Sequence, residues 1–181
     1  MRSTAICPDR PLAVASERFE VLGANGLMAM SAQPSRVVLD TNIVLDCYVF
    51  HDAAVRALVT AIEERRVNPL VHQDTLDELE RVLTYPQCRL STAEQRQVLD
   101  HYLAVATAAP VPAGFSRKTL LLPSGFPQCR DNDDQPFLAL AYHARAHALI
   151  TKDKAILKLR RKTRRFGVAI YPPADVQLSQ S

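Results

Sequence analysis

The chain has 181 residues, 48% hydrophobic and 23% charged, a balance that suits one folded domain and leaves no room for two of ordinary size. A domain of this length buries roughly 70% of the surface that its unfolded chain exposes, so it needs no covalent staples. The net charge of +3 is mild, so any preference for a polyanion must come from how the charge is distributed; no run approaches 18 apolar residues, which excludes a membrane-spanning helix.

Cys7, Cys47, Cys88 and Cys129 form no CxxC pair and have no His-x3–5-His companion. That argues against zinc and a disulfide framework, and for reduced thiols in a cytoplasm. Pro8, Asp9, Pro11, Glu17 and Glu20 interrupt every apolar run near the start, against the pattern of a secretory leader. Residues 1–34 lack periodicity and read as a loose N-terminal arm. Residues 35–173 read as the domain, and 174–181 as a C-terminal tail.

The domain opens on Arg36-Val37-Val38-Leu39-Asp40, a short apolar run with β-branched residues that predicts a buried strand. Asp52 can cap a helix through Val55, Leu58, Val59 and Ile62 to Arg65-Arg66, with an acid at its start and bases at its end. Val67 to His72 predicts a second strand, placed near an edge by Pro69. A helix from Asp74 or Thr75 carries Leu76, Leu79, Val82 and Leu83 and stops before Pro86.

Ser91-Thr92-Ala93-Glu94 is a capping box for a helix striped by Val98, Leu99, Tyr102, Leu103 and Ala106. Residues 109–130 hold four prolines and two glycines and read as loop, with a short strand at Leu120 to Leu122. A helix from Asp134 to about His147, a strand at Ala148–Thr151, a helix from Asp153 to Leu159 and a strand at Val168–Tyr171 complete the series. Helices alternating with short apolar strands imply an α/β fold: a mostly parallel sheet flanked by helices in three layers. Ligands of such sheets collect beyond the carboxyl ends of the strands.

That rule selects among the acids. Asp40 ends the first strand, beside Thr41 and Asn42, though all three residue types also suit a turn or cap. Asp131-Asn132-Asp133-Asp134 crowds three carboxylates into four residues. Asp134 lies about 20° from Ala141 on a helical wheel, so it projects from the sheet-facing side, where an acid is costly unless partnered. Asp153 follows the strand 148–151, again at a carboxyl end, and also suits an N-cap. Glu78 and Glu80 flank opposite margins of one apolar stripe, and periodicity does not choose between them. A group of hard oxygen donors without His or Cys suits Mg²⁺ or Mn²⁺.

Val37-Val38-Leu39-Asp40-Thr41-Asn42-Ile43-Val44-Leu45 resembles the opening motif of the PIN-domain family, in particular its bacterial branch of toxin components of toxin–antitoxin systems (VapC-like). Leu76-Asp77-Glu78-Leu79-Glu80-Arg81-Val82-Leu83 is similar to the second segment, and this register selects Glu78. Cys129-Arg130-Asp131-Asn132-Asp133-Asp134-Gln135-Pro136-Phe137-Leu138-Ala139-Leu140-Ala141 is similar to the third, with Asp134 as principal acid and Asp131 as accessory. Leu149-Ile150-Thr151-Lys152-Asp153-Lys154-Ala155-Ile156-Leu157 is similar to the fourth, which carries Asp153. The four segments lie in order within residues 36–172.

The resemblance implies a metal-dependent endoribonuclease. Asp40, Glu78, Asp134 and Asp153 would hold Mg²⁺ or Mn²⁺, with Asn42 and Thr151 orienting these ligands, and the products would be a 3′-hydroxyl and a 5′-phosphate. It also implies a small antitoxin protein as partner, and a homodimer is a further expectation. Two departures stand out. Lys152 occupies a position where a small residue usually precedes the last acid, so its amine is expected at the metal site or on phosphate. Gln135-Pro136 replaces a more charged pair and is expected to shape only the helix's first turn.

Lys152, Lys154, Lys158, Arg160, Arg161, Lys162, Arg164 and Arg165 face Asp153 alone between residues 152 and 165. This run reads as a solvated helix end and turn or, beside a carboxylate cluster, as a patch that tracks RNA phosphates. Tyr142, Phe166 and Tyr171 are few for base stacking, so shape would choose the RNA. The competing reading is a PIN-like RNA- or partner-binding module with little activity, favoured by Lys152. A haloacid-dehalogenase-type phosphatase would need Asp where Asn42 stands.

Overall fold

The structure is a computed structural model that describes residues 27–28 and 34–178. Most of the predicted arm, Cys7 and the last three residues of the predicted tail lie outside the described residues. Where arm and tail are described, β1 (Leu27–Met28) pairs in parallel with β7 (Gln177–Leu178).

The central sheet has five strands: β2 (Ser35–Leu39), β3 (Val67–Val71), β4 (Thr107–Ala108), β5 (Ala148–Ile150) and β6 (Ile170–Tyr171). They lie in the order β4-β3-β2-β5-β6, and every pairing is parallel. Alternation along the strands divides the core in two. Val37, Leu39, Ala148 and Ile150 face one side, against α1 (Thr41–Tyr48), α2 (Arg56–Glu63), α3 (Gln73–Leu83) and α4 (Thr92–Val105). Val38, Leu149 and Ile170 face the other, against α5 (Gln135–His143) and α6 (Lys154–Thr163). Strands covered on both faces read as continuous apolar runs, which is why β2 and β5 were legible.

Several elements depart from expectation. The helix α1 was not anticipated. Its run Ile43-Val44-Leu45 continues the β-branched character of β2, yet these residues and Cys47 are buried on a helical face. A 3-10 turn at Ala53–Val55, capped by Asp52 through its bond from the Ala54 amide, precedes α2. That helix stops at Glu63, short of Arg65-Arg66, and Arg65 takes a left-handed backbone.

The unanticipated β4 moves β3 inward from the expected edge. It pairs only with Leu70 and Val71, so Pro69, which has no N–H to donate, adjoins the part of the outer side that β4 does not reach. No strand forms at Leu120 to Leu122. Leu121 has φ of 50°, which breaks extended backbone, and only an isolated bridge joins Ser116 to Thr119.

Helix α5 ends at His143 where 147 was expected, and the chain reverses through a left-handed Arg145. Helix α6 runs past Leu159 to Thr163, so most of the basic run lies on the helix itself. The last strand of the sheet is confined to Ile170–Tyr171.

Strands progress outward from β2 in both directions, toward β4 on one side and β6 on the other. The reversal therefore falls between β2 and β5, and a crevice opens at their carboxyl ends.

Candidate functional site

Asp40 follows β2 and Asp153 follows β5, so the reversal brings both acids to one crevice. Thr151 joins them. Its hydroxyl donates to Asp40 Oδ2 at 2.6 Å and accepts from the Asp153 amide at 2.9 Å. Asp40 is 2% exposed and Thr151 0%. Burial raises the Asp40 carboxyl, neighbouring Asp153 raises it further, and hydrogen bonds from Thr151 and Asn42 pull it back.

A Thr151→Val exchange keeps the volume but leaves a buried carboxylate and an amide short of a partner, a cost of about 1–3 kcal/mol. The melting temperature is expected to fall by several degrees, and Thr151→Ser to restore it. Unchanged melting of the valine variant would show that the bridge contributes nothing.

Asp153 is the N-cap that its position suggested. Its Oδ1 caps α6, accepting from the Ala155 and Ile156 amides at 2.6 and 2.9 Å. Both cap bonds fall on the same oxygen.

Asp134 behaves differently. It stands at the N-cap position of α5 but makes no side-chain cap bond. Among the described residues its Oδ2 accepts only from the Cys129 thiol, at 3.8 Å. Burial raises its pKa to about 7, helped by the charges of Asp40, Asp153, Asp131 and Glu78. Gln135, 3% exposed, does more than shape a first turn. Its amide clamps the incoming loop, accepting from the Cys129 amide at 2.6 Å and donating to the Pro127 carbonyl at 3.1 Å. The apolar run Phe137–Ala141 is buried behind it. Asp131 lies at the exposed rim, its Oδ1 accepting from the Asp133 amide at 2.9 Å.

On α3, where periodicity did not choose, Glu78 is buried and Glu80 is exposed. Thr41 donates to Glu78 Oε1 at 3.3 Å, and Arg117 pairs with Oε2 at 3.6 Å. Burial raises the Glu78 carboxyl, Arg117 lowers it, and Asp40 raises it again. Arg117 also binds Asp133 Oδ1 at 2.5 Å. Sequence reasoning missed Arg117 and Thr41 as parts of the site. Thr41 sat inside a quoted motif, whereas nothing local to Arg117 marks it.

Lys152 does not enter the crevice as expected. Its amine pairs with Asp46 of α1 at 2.5 Å and with Asp52 at 2.6 Å, and these two partners raise its pKa. Lys154, Lys158, Arg160, Arg161, Lys162, Arg164 and Arg165 are exposed along α6 and the turn after it. Arg165 also donates to the Gly125 carbonyl and lies over the Phe166 ring. Tyr142 and Phe166 both pack against Phe126, which ties up two of the three aromatics considered for stacking.

Four carboxylates thus stand at the end of β2, on α3 and at the starts of α5 and α6, and the charges of the other three raise the pKa of Asp134. Among the described residues, no three acidic, His or Cys side chains already stand in ligating positions. Hard oxygens, mutual repulsion and an acid at the cap position without a cap bond fit a divalent cation drawn between them.

No curated protein matches the sequence. The crystal structure of VapBC2 from Rickettsia felis bound to a DNA fragment from its promoter is similar at 17% identity, covering 76% of this chain and 98% of that chain, with a TM-score of 0.49. A family model described as PIN domain matches residues 36–155. That span includes Asp40, Glu78, Asp134 and Asp153, and the chain belongs to the PIN-domain family.

Proposed function

We propose that this protein is a divalent-metal-dependent endoribonuclease that hydrolyses RNA phosphodiester bonds, with Asp40, Glu78, Asp134 and Asp153 as its catalytic, metal-holding acids. The observation that carries the reading is Asp134. It is half-buried, makes no cap bond, and is raised to about 7 by burial and the surrounding acids, a state that a cation relieves.

Magnesium or manganese held there would supply an acidified water and neutralise charge on the scissile phosphate. Thr151 orients Asp40 and Asp153 together, Asn42 steadies Asp40, and Asp131 adds negative charge at the rim. Helix α6 starts at the site and carries its exposed bases away from it, a track suited to the flanking phosphates of a single strand.

Among the described residues no helix is long and apolar enough to cross a membrane. A small antitoxin partner and 3′-hydroxyl and 5′-phosphate products accompany the proposal as expectations of the family resemblance, with cytoplasmic location, from the unpaired cysteines, and a homodimer as further expectations. The competing reading, a binding module of little activity, drew on Lys152 beside the last acid. The ion pairs of Lys152 with Asp46 and Asp52 remove that support.

The test is cleavage of a labelled single-stranded RNA under divalent titration. Wild type is expected to cleave with Mg²⁺ or Mn²⁺ and to stop with chelator, and Asp40→Ala to lose at least 10³-fold in rate, within the range of catalytic-residue losses. Cleavage that survives chelator or the Asp40→Ala change would sink the proposal.

A further inference from the structure

The segment between β4 and α5 is loop by composition, yet it is firmly docked. Phe115 is 8% exposed and lies edge-on between His72 and His143, with centroids 4.8 and 5.3 Å away. His143 Nε2 contacts the Leu120 carbonyl at 2.8 Å. Further along, Phe126 packs on Tyr142 and Phe166, and Arg165 donates to the Gly125 carbonyl at 2.9 Å. These anchors bracket Arg117 and fix where its guanidinium falls: between Glu78 and Asp133, with about a third of the side chain (35%) still open to solvent.

A crevice of carboxylates repels the polyanion that it must admit, so a positive group is needed beside the reacting phosphate. Lys152 and the bases at the far end of α6 are held elsewhere. Lys152 is held by Asp46 and Asp52. The ten residues of α6 rise about 15 Å, which carries Arg160, Arg161, Lys162, Arg164 and Arg165 far from the acids at its start. Arg117 has the position and the chemistry. Its planar fork has five N–H donors, more than its two carboxylate contacts use, and matches two phosphate oxygens.

We propose that Arg117 is a substrate-contacting residue of this crevice, its guanidinium binding the non-bridging oxygens of the RNA phosphate that lies against Glu78 and Asp134. The proposal rests on the nuclease reading and adds to it the group that recognises the phosphate. In the structure the same guanidinium rests on Glu78 and Asp133.

The experiment has a kinetic arm and a binding arm, both on the full chain. At saturating Mg²⁺, Arg117→Ala is expected to lower kcat/KM for a short single-stranded RNA about 100-fold without raising the Mg²⁺ concentration for half-maximal rate. Arg117→Lys is expected to recover part of the loss. Lys118→Ala, which removes the neighbouring exposed charge, is expected to change little. In the binding arm, fluorescence anisotropy follows the same RNA in an Asp40→Asn background. There Arg117→Ala is expected to reduce the slope of log affinity against log salt by about 0.7, the share of one phosphate contact on a single strand.

Wild-type cleavage rates in Arg117→Ala, or a loss that added Mg²⁺ repairs, would assign Arg117 to balancing charge alone and overturn the proposal. Failure of wild type to cleave would end the nuclease reading separately. The salt slope would then decide Arg117 by itself: an unchanged slope, or no RNA binding by wild type, overturns it. Thermal melts establish folding, and Arg117→Gln substitutes for the alanine variant if that variant does not fold.

Discussion

Asp134→Asn is expected to stabilise the metal-free protein at pH 8, to leave its stability near wild type at pH 4, and to abolish cleavage. The carboxyl of Asp134 titrates near 7 in the folded chain against an ordinary value of 3.8. Below about pH 4 the folded and unfolded forms both carry the proton, and well above pH 7 neither does. Between these limits the folded form binds the extra proton, so the free energy of unfolding falls as pH rises from about 4 to about 7. Discounted for partial exposure, the difference at pH 8 is about 1–2 kcal/mol, or roughly 2–8 °C in melting temperature for a domain of this size. The uncharged amide does not incur this loss.

Divalent ions should act in the opposite direction. At 100 times its dissociation constant, an ion that binds only the folded form adds about 2.7 kcal/mol. Mg²⁺ or Mn²⁺ should therefore raise the melting temperature of wild type at pH 8, much less at pH 5, and hardly at all in Asp134→Asn. A variant that melts like wild type across the pH range, or responds equally to Mg²⁺, would show that Asp134 is an ordinary surface acid.

Neutralising Lys158, Arg160, Arg161 and Arg164 together is expected to weaken RNA binding about 100-fold at 0.1 M salt while preserving the fold. All four side chains are exposed, so their loss removes no core packing. Each phosphate contact on a single strand contributes about 0.7 to the slope of log affinity against log salt. Four contacts thus predict a slope shallower by nearly 3, and a deficit that shrinks as salt rises. Weak loss with an unaltered slope would mean that these bases only solvate the helix. At saturating RNA the turnover number of the variant should stay close to wild type, because on this proposal the bases would lie on flanking phosphates and not at the reacting one. Arg117→Ala differs on that point, since its loss concerns the reacting phosphate.

Much of the fold was legible because burial leaves a pattern. β2 and β5 are covered on both faces and read as uninterrupted apolar runs, while Ser91 and Glu94 announced α4 through a capping box that is formed reciprocally. Helix α1 was hidden for the same reason that β2 was visible: Ile43-Val44-Leu45 has the residue types of a strand, and only packing against α3 and α4 makes it helical. The two residues of β4 were invisible because Thr107 and Ala108 carry no periodicity and are set by pairing with Leu70 and Val71.

The acids divide in the same way. Chain order and local pattern were enough to place Asp40 and Asp153 at strand ends and Asp134 on an inward face, because these depend on periods of two and 3.6 residues. What those acids meet was beyond the sequence. Nothing near position 117 marks Arg117, whose partner Glu78 lies 39 residues away, and nothing near position 152 tells that Lys152 turns toward Asp46 and Asp52. Local periodicity determines which face a side chain takes. Its partner depends on how distant elements are brought together, and only the packed sheet decided that.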